Sequence, residues 1–132
     1  MLIDKKLLDQ VTAEAKVSER LRMNYNFHES LDAPSQRLLN ALEPGTVLPI
    51  HRHTHTSETY VVLRGRLNVD FYNDDRQVIA HYELDPEAGV YGVNIPRGQW
   101  HTIEVLCSGT VIFEVKDGPY KPLSPGDILE EG

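Results

Sequence analysis

Gly45-Thr46-Val47-Leu48-Pro49-Ile50-His51-Arg52-His53-Thr54-His55-Thr56-Ser57-Glu58-Thr59-Tyr60-Val61-Val62-Leu63-Arg64-Gly65 carries the spacing G-x5-H-x-H-x4-E-x6-G. Two histidines at i and i+2 on a strand point to one face. Past one irregular step, Glu58 returns a carboxylate to the same place. Imidazole nitrogens with a hard carboxylate oxygen suit a divalent first-row metal. The plainer alternative is a solvated, histidine-rich turn. With this chain's own Gly, His and Glu frequencies, the five-position pattern arises by chance in roughly one shuffled sequence in ten thousand. That rarity favours a metal site. His55 offers a competing register, because His53 and His55 are also spaced i, i+2.

Downstream of this stretch the hydrophobic period is two. Thr59 to Arg64 is nearly all β-formers, and Leu67, Val69 and Phe71 alternate with Asn68, Asp70 and Tyr72. Asn73-Asp74-Asp75 marks a hairpin tip. Strands follow over Gln77 to Leu84, Val90 to Ile95, Trp100 to Leu106 and Thr110 to Val115. Pro96-Arg97-Gly98 turns the chain into His101, which shares a strand face with Ile103 and Val105.

Upstream, residues 4–17 read as an amphipathic helix with Asp4 as N-cap and Leu7, Leu8, Val11 and Ala15 at helical spacing. From Arg20 the period changes. Leu21, Met23, Tyr25 and Phe27 alternate with Arg22, Asn24, Asn26 and His28, which makes a strand with one apolar face. A second strand, Gln36 to Leu42, leads to the turn at Glu43-Pro44-Gly45. Eight or so short strands at intervals near ten residues describe an antiparallel sandwich or small barrel. The tail, with Pro119, Pro122, Pro125 and Gly126, reads as a wrapped coil. No chemistry can be read from the run Phe113 to Tyr120.

Composition bounds the function. The chain has 132 residues, one domain's worth, with 40% hydrophobic and 25% charged residues. A net charge of -7 argues against nucleic acid and anionic membrane surfaces, since there is no basic stripe to neutralise phosphates. A small anionic ligand needs only one or two local arginines. The one cysteine, Cys107, cannot form an internal disulfide, and the N-terminus lacks a secretory h-region. The expected compartment is the cytoplasm.

The first motif resembles that of the cupin superfamily with every position present. Pro96-Arg97-Gly98-Gln99-Trp100-His101 matches the P-x-G-x2-H centre of the second cupin motif. That motif's leading glycine is displaced to Gly89, and Val105 stands where it closes on Asn. Arg20 to His28, Gln36 to Gly45 and Phe113 to Tyr120 resemble the bacterial WbuC-type cupin-fold metalloproteins. Their genes often lie among those for lipopolysaccharide O-antigen synthesis.

The resemblance implies a mainly β, cupin-type antiparallel barrel (jelly roll) over 20–116, with the helix before it and a coil over 117–132. It also implies pairing as a homodimer. It selects the register in which His51, His53, Glu58 and His101 bind one divalent metal (Fe, Mn, Zn or Ni). Four protein ligands in an octahedral site would leave two positions open. Tyr60, two residues past Glu58 on the same face, is the candidate to supply a proton or hydrogen bond. Arg22, Asn24, Asn26 and Asn40 are expected to line the cavity in front of the metal as a substrate wall; the competing arrangement is an edge strand that turns Arg22, Asn24 and Asn26 to bulk water. His28 and His81 read as ordinary polar residues.

Two function classes stay open. One is a metal-dependent enzyme on a small polar substrate, such as a sugar or sugar nucleotide. The other is a non-catalytic, metal-dependent binding or sensing module.

Overall fold

The computed structural model describes residues 1–129, so the last three positions of the expected 117–132 coil lie outside the described residues. Helix α1 (Lys5–Val17) starts where the Asp4 side chain accepts the Leu7 amide at 3.0 Å. The strands are β1 (Arg22–Asn26), β2 (Ser35–Leu42), β3 (Glu58–Arg64), β4 (Leu67–Tyr72), β5 (Val78–Leu84), β6 (Gly92–Ile95), β7 (Trp100–Val105) and β8 (Thr110–Asp117). They form two antiparallel sheets, one ordered β1-β2-β8-β3-β6 and the other β5-β4-β7.

Alternation along each strand decides what each sheet face meets. In β3, Glu58, Tyr60 and Val62 are buried while Thr59, Val61 and Leu63 face out. The main core lies between the sheets. Leu42, Tyr60, Val62, Ile95 and Ile112 from the larger sheet pack with Leu67, Val69, Phe71, Leu84, Ile103 and Val105 from the smaller. A second core lies on the outside of the larger sheet. There Leu7, Val11 and Ala15 of α1 pack on Leu39, Ala41 and Val111, flanked by Met23, Tyr25 and Phe113. Each fully buried large apolar side chain contributes about 1.5–3 kcal/mol, which seats a short helix on the sheet.

The two glycines of the histidine motif are needed for backbone reasons. Gly45 and Gly65 both have left-handed φ, +100° and +91°. A Cβ at Gly65 would also stand 2.6 Å from the Thr110 Cα, so the turn between β3 and β4 admits no side chain.

Two sequence expectations need correction. The segment bearing His51 and His53 is not a strand; only His51 makes isolated bridges, to His101 and to Ile128. Pro49 has no amide to donate to a ladder. The neighbouring backbone groups bond two different segments: His51 exchanges bonds with His101 at 2.9 and 3.0 Å, and the Arg52 amide donates to Asp127 at 3.0 Å. The tail, in turn, is more than a coil. β8 runs on to Asp117, a 3-10 turn spans Pro125–Asp127, and the Leu129 amide donates to the Ile50 carbonyl at 2.8 Å.

Candidate metal and ligand site

His51 and His53 come from the irregular segment, Glu58 opens β3, and His101 is the second residue of β7. The double backbone bridge between His51 and His101 brings the two cupin-like motifs together. Their ring centroids are 4.3 Å apart, and those of His51 and His53 5.4 Å. Glu58 lies between the imidazoles: Oε1 is 3.0 Å from His53 Nε2 and Oε2 is 3.5 Å from His101 Nε2. Lys116 Nζ stands 3.6 Å from the same carboxylate, and the Tyr60 hydroxyl donates to it at 3.0 Å.

The tautomers follow from the partners. His51 Nδ1 lies 2.9 Å from the Pro49 carbonyl and His101 Nδ1 2.9 Å from the Gln99 carbonyl. A carbonyl only accepts, so each Nδ1 carries a proton and Nε2 is the nitrogen each ring turns to the site. Fixing Nδ1 by a carbonyl is how ligating histidines are ordinarily oriented. Burial, then the neighbouring His101, lowers the His51 pKa to about 4, so its ring is neutral at pH 7. His101 Nε2 is buried with no hydrogen-bond partner.

Burial alone would raise the Glu58 carboxyl, but His101, His53 and Lys116 hold it well below the usual range. Burial, then the Glu58 and Glu114 charges, pushes the Tyr60 phenol well above its usual value. Partial burial, Lys121, His53, Lys116 and Arg97 lower His55, which stands 6.2 Å from His53 between ring centroids.

As they stand, no three His, Cys, Asp or Glu side chains among the described residues form a ready cage for an ion. They pair with one another instead. The donor set nonetheless fits a first-row cation: two imidazoles whose Nε2 atoms turn to the site, one of them buried and unpartnered, beside an ionised carboxylate.

A cavity of 160 Å³ opens against these groups. It is walled by Arg20, Arg22, Asn24, Leu38, Asn40, Leu48, His51, His53, Glu58, Tyr60, Glu114 and Lys116. Register explains the wall. Arg22, Asn24 and Asn26 pair with Leu42, Asn40 and Leu38 on the inner face, while Met23 and Tyr25 turn to α1. Arg22, Asn24 and Asn40 therefore share the cavity with His51. Asn26 lies on the same strand face but is exposed and does not line it.

Glu114, Lys116 and Arg20 line the cavity without having been singled out from sequence. Glu114 and Lys116 continue the inner face of β8 past Ile112, and Asn40 Nδ2 donates to Glu114 at 2.9 Å. Their signal was the alternation Phe113-Glu114-Val115-Lys116, hidden in a strand otherwise read for its apolar residues. Elsewhere, His28 Nδ1 meets the Arg37 amide at 3.1 Å, and His81 pairs with Asp70 on the surface.

Paired antiparallel sheets, an N-terminal helix and this two-motif junction are those of a cupin-fold protein. The fold is shared, at a TM-score of 0.59, with the Schizosaccharomyces pombe Cnp3 cupin domain, which is 10% identical; 75% of this chain and 66% of that one are covered. The capsular polysaccharide assembling protein CapF from Staphylococcus aureus is 22% identical at a TM-score of 0.64, over 86% of this chain and 29% of CapF. This chain thus spans about three tenths of the CapF length. A putative sugar phosphate isomerase from Acidithiobacillus ferrooxidans is 20% identical at a TM-score of 0.58, over 74% and 59% of the two chains. No curated protein matches the chain. By its sequence it belongs to the family described as Domain of unknown function (DUF6016), whose model matches residues 3–84 and so takes in His51, His53 and Glu58. Among the described residues no helix is long and apolar enough to cross a membrane.

Proposed function

We propose that this protein is a metal-dependent cupin of the WbuC type, with His51, His53, Glu58 and His101 as ligands. In this reading it is an enzyme acting on a small polar substrate, a sugar or sugar nucleotide of surface-polysaccharide synthesis. The observation that carries it is the buried, unpartnered His101 Nε2 beside the Glu58 carboxylate, which itself lines a polar cavity with His51 and His53. A buried imidazole nitrogen without a partner is costly in a protein that gains nothing from it. CapF, named for capsular polysaccharide assembly, and the putative sugar phosphate isomerase support the substrate class.

A bound divalent ion would supply Lewis acidity, polarising a carbonyl or lowering the pKa of bound water. The chain's own residues do the rest. His101, His53 and Lys116 hold Glu58 ionised, Tyr60 holds it in place, the backbone carbonyls of Pro49 and Gln99 fix two imidazoles, and Asn24, Asn40 and Glu114 present groups that pair with hydroxyls. Tyr60 in this arrangement is a positioning residue for Glu58.

Metal content of purified wild type and of His51→Ala, His53→Ala and His101→Ala tests the site. Wild type is expected near one equivalent and each variant far below it. Full occupancy in all three, with loss in His55→Ala, refutes the register. A specific observation favours the non-catalytic binding module: the Tyr60 hydroxyl is committed to Glu58 and its phenol is a poor acid. Metal-dependent turnover across a panel of sugar nucleotides decides for the enzyme, and ligand binding without turnover for the module.

A homodimer belongs to the same reading. β6 is an edge strand, and Val61, Leu63 and Val115 are exposed on the outer sheet face. A sedimentation mass near 15.0 kDa at micromolar concentration would exclude it.

A further inference from the structure

The chain carries 20 acidic residues against 13 Lys and Arg, so an arginine here has an excess of carboxylates to pair with. Three arginines do so, whereas the exposed Arg37 and Arg97 have no carboxylate partner among the described residues. Arg64 bonds Asp9 and Thr12, Arg66 pairs with Glu83, and Arg52 lies beside Asp127. Arg20 and Arg22 do not. Both line the cavity, and neither guanidinium has a hydrogen bond or an ion pair among the described residues.

Arg22 is half-buried, and its pKa is lowered first by that burial and then by the charge of Arg20 beside it. Arg20 is exposed and the Glu114 charge partly offsets the repulsion at Arg22, yet two like charges side by side on one wall favour a bound anion. The nearest carboxylates on the same wall have other partners: Glu114 takes the Asn40 amide, and Glu58 takes His53, Tyr60 and Lys116. Arg20, Arg22 and Asn24 also line a second hollow of 290 Å³ with Ser18 and Met23. The guanidiniums therefore stand at the border between the histidine cavity and a space open to a longer ligand.

We infer that Arg20 and Arg22 form an oxyanion subsite, so that the ligand of this cavity is a small polyol carrying a phosphate or carboxylate. Guanidinium forks match both groups bidentately. At 160 Å³ the histidine cavity is well below the usual 300–1,000 Å³ of a drug-sized pocket. It fits a single sugar ring, whose hydroxyls meet Asn24, Asn40 and Glu114 while its oxyanion is held at the rim. The inference rests on the proposed ligand site but not on the identity of the metal.

Titration calorimetry of the purified, metal-assayed protein with inorganic phosphate and with acetate tests it without assuming any sugar stereochemistry. At least one anion is expected to bind wild type, and its dissociation constant to rise about tenfold or more in Arg20→Gln/Arg22→Gln, as charged hydrogen bonds are lost. Lys5→Gln/Lys6→Gln, which removes the same charge from α1, is expected to bind as wild type does. The stronger anion tells phosphate from carboxylate. Binding of neither anion to wild type, or the same affinity in the double arginine variant, overturns the subsite. Anion binding that persists in His51→Ala while metal is lost supports it; anion binding to a wild type that takes up no metal would bring down the proposed metal site and leave the subsite standing.

Discussion

The larger sheet has two faces made from the same strands and opposite in character. Outward, β1, β2 and β8 give Met23, Tyr25, Leu39, Ala41, Val111 and Phe113 to α1. Inward, those strands present Arg22, Asn24, Asn40, Glu114 and Lys116 to the cavity. The inside of a double-sheet domain is ordinarily its apolar side. Here it becomes apolar only further along the strands, where Leu42, Val62 and Ile112 meet Leu67, Val69 and Ile103. The difference teaches where stability and chemistry reside. A polar inner wall contributes little net packing energy, and the helix supplies a second core on the reverse side of the same strands.

The largest expected effect lies on the outer face. Leu39→Ala, at a site with no solvent exposure, should cost about 2–5 kcal/mol in urea denaturation while metal binding at the proposed site is unchanged in the folded fraction. A loss of metal at unchanged stability would break the division between the faces. On the inner face, Asn40→Ala leaves the buried Glu114 carboxyl without its amide partner and should cost about 1–3 kcal/mol.

Replacing both partners sharpens the contrast. Asn40→Leu/Glu114→Leu should fall within about 1 kcal/mol of wild type, or above it, because two apolar groups need no partners. Anion and sugar binding in calorimetry should nonetheless weaken. A destabilisation as large as that of Leu39→Ala would make the polar wall structural.

The smallest effect belongs to Asp9, which ties α1 to β3. Lys5 and then Arg64 hold its carboxyl below the usual 3.8. A lowered folded-state pKa stabilises above the unfolded value, and that stabilisation is lost as pH falls through the folded one. Asp9→Asn should therefore lower the melting temperature slightly at pH 7, and the gap should close in acid. A gap that widens in acid would contradict the assigned pairing.

Much of this was legible in the residues. The i, i+3, i+4 pattern of Leu7, Leu8, Val11 and Ala15 marked the helix, and Asp4 its cap. Alternation in Arg22 to Asn26 separated the two faces of β1 but left open which of them turns toward His51. What was not legible depends on pairing across the chain. Asn26 shares the face of Arg22 but is carried past the cavity as the strand runs on. Glu114 and Lys116 become wall residues only because β8 inserts between β2 and β3, an order that no local pattern encodes. Arg20 precedes a residue of positive φ, Leu21, where a strand period says nothing about direction. The histidine segment was read as a strand because its i, i+2 spacing has that period, yet its hydrogen bonds go to β7 and to the tail.

That last arrangement sets an order of assembly during synthesis. The segment that carries His51 and His53 is stitched on one side to His101 and on the other to Asp127, Ile128 and Leu129. Strands β1 to β5 can emerge from a ribosome and begin to pair while the histidine segment still lacks both of its neighbours. Its final backbone bonds wait until residue 129 has cleared the exit tunnel. A nascent chain stalled before that point would hold paired strands and an unfinished histidine segment, so the proposed site should be among the last parts of the fold to form.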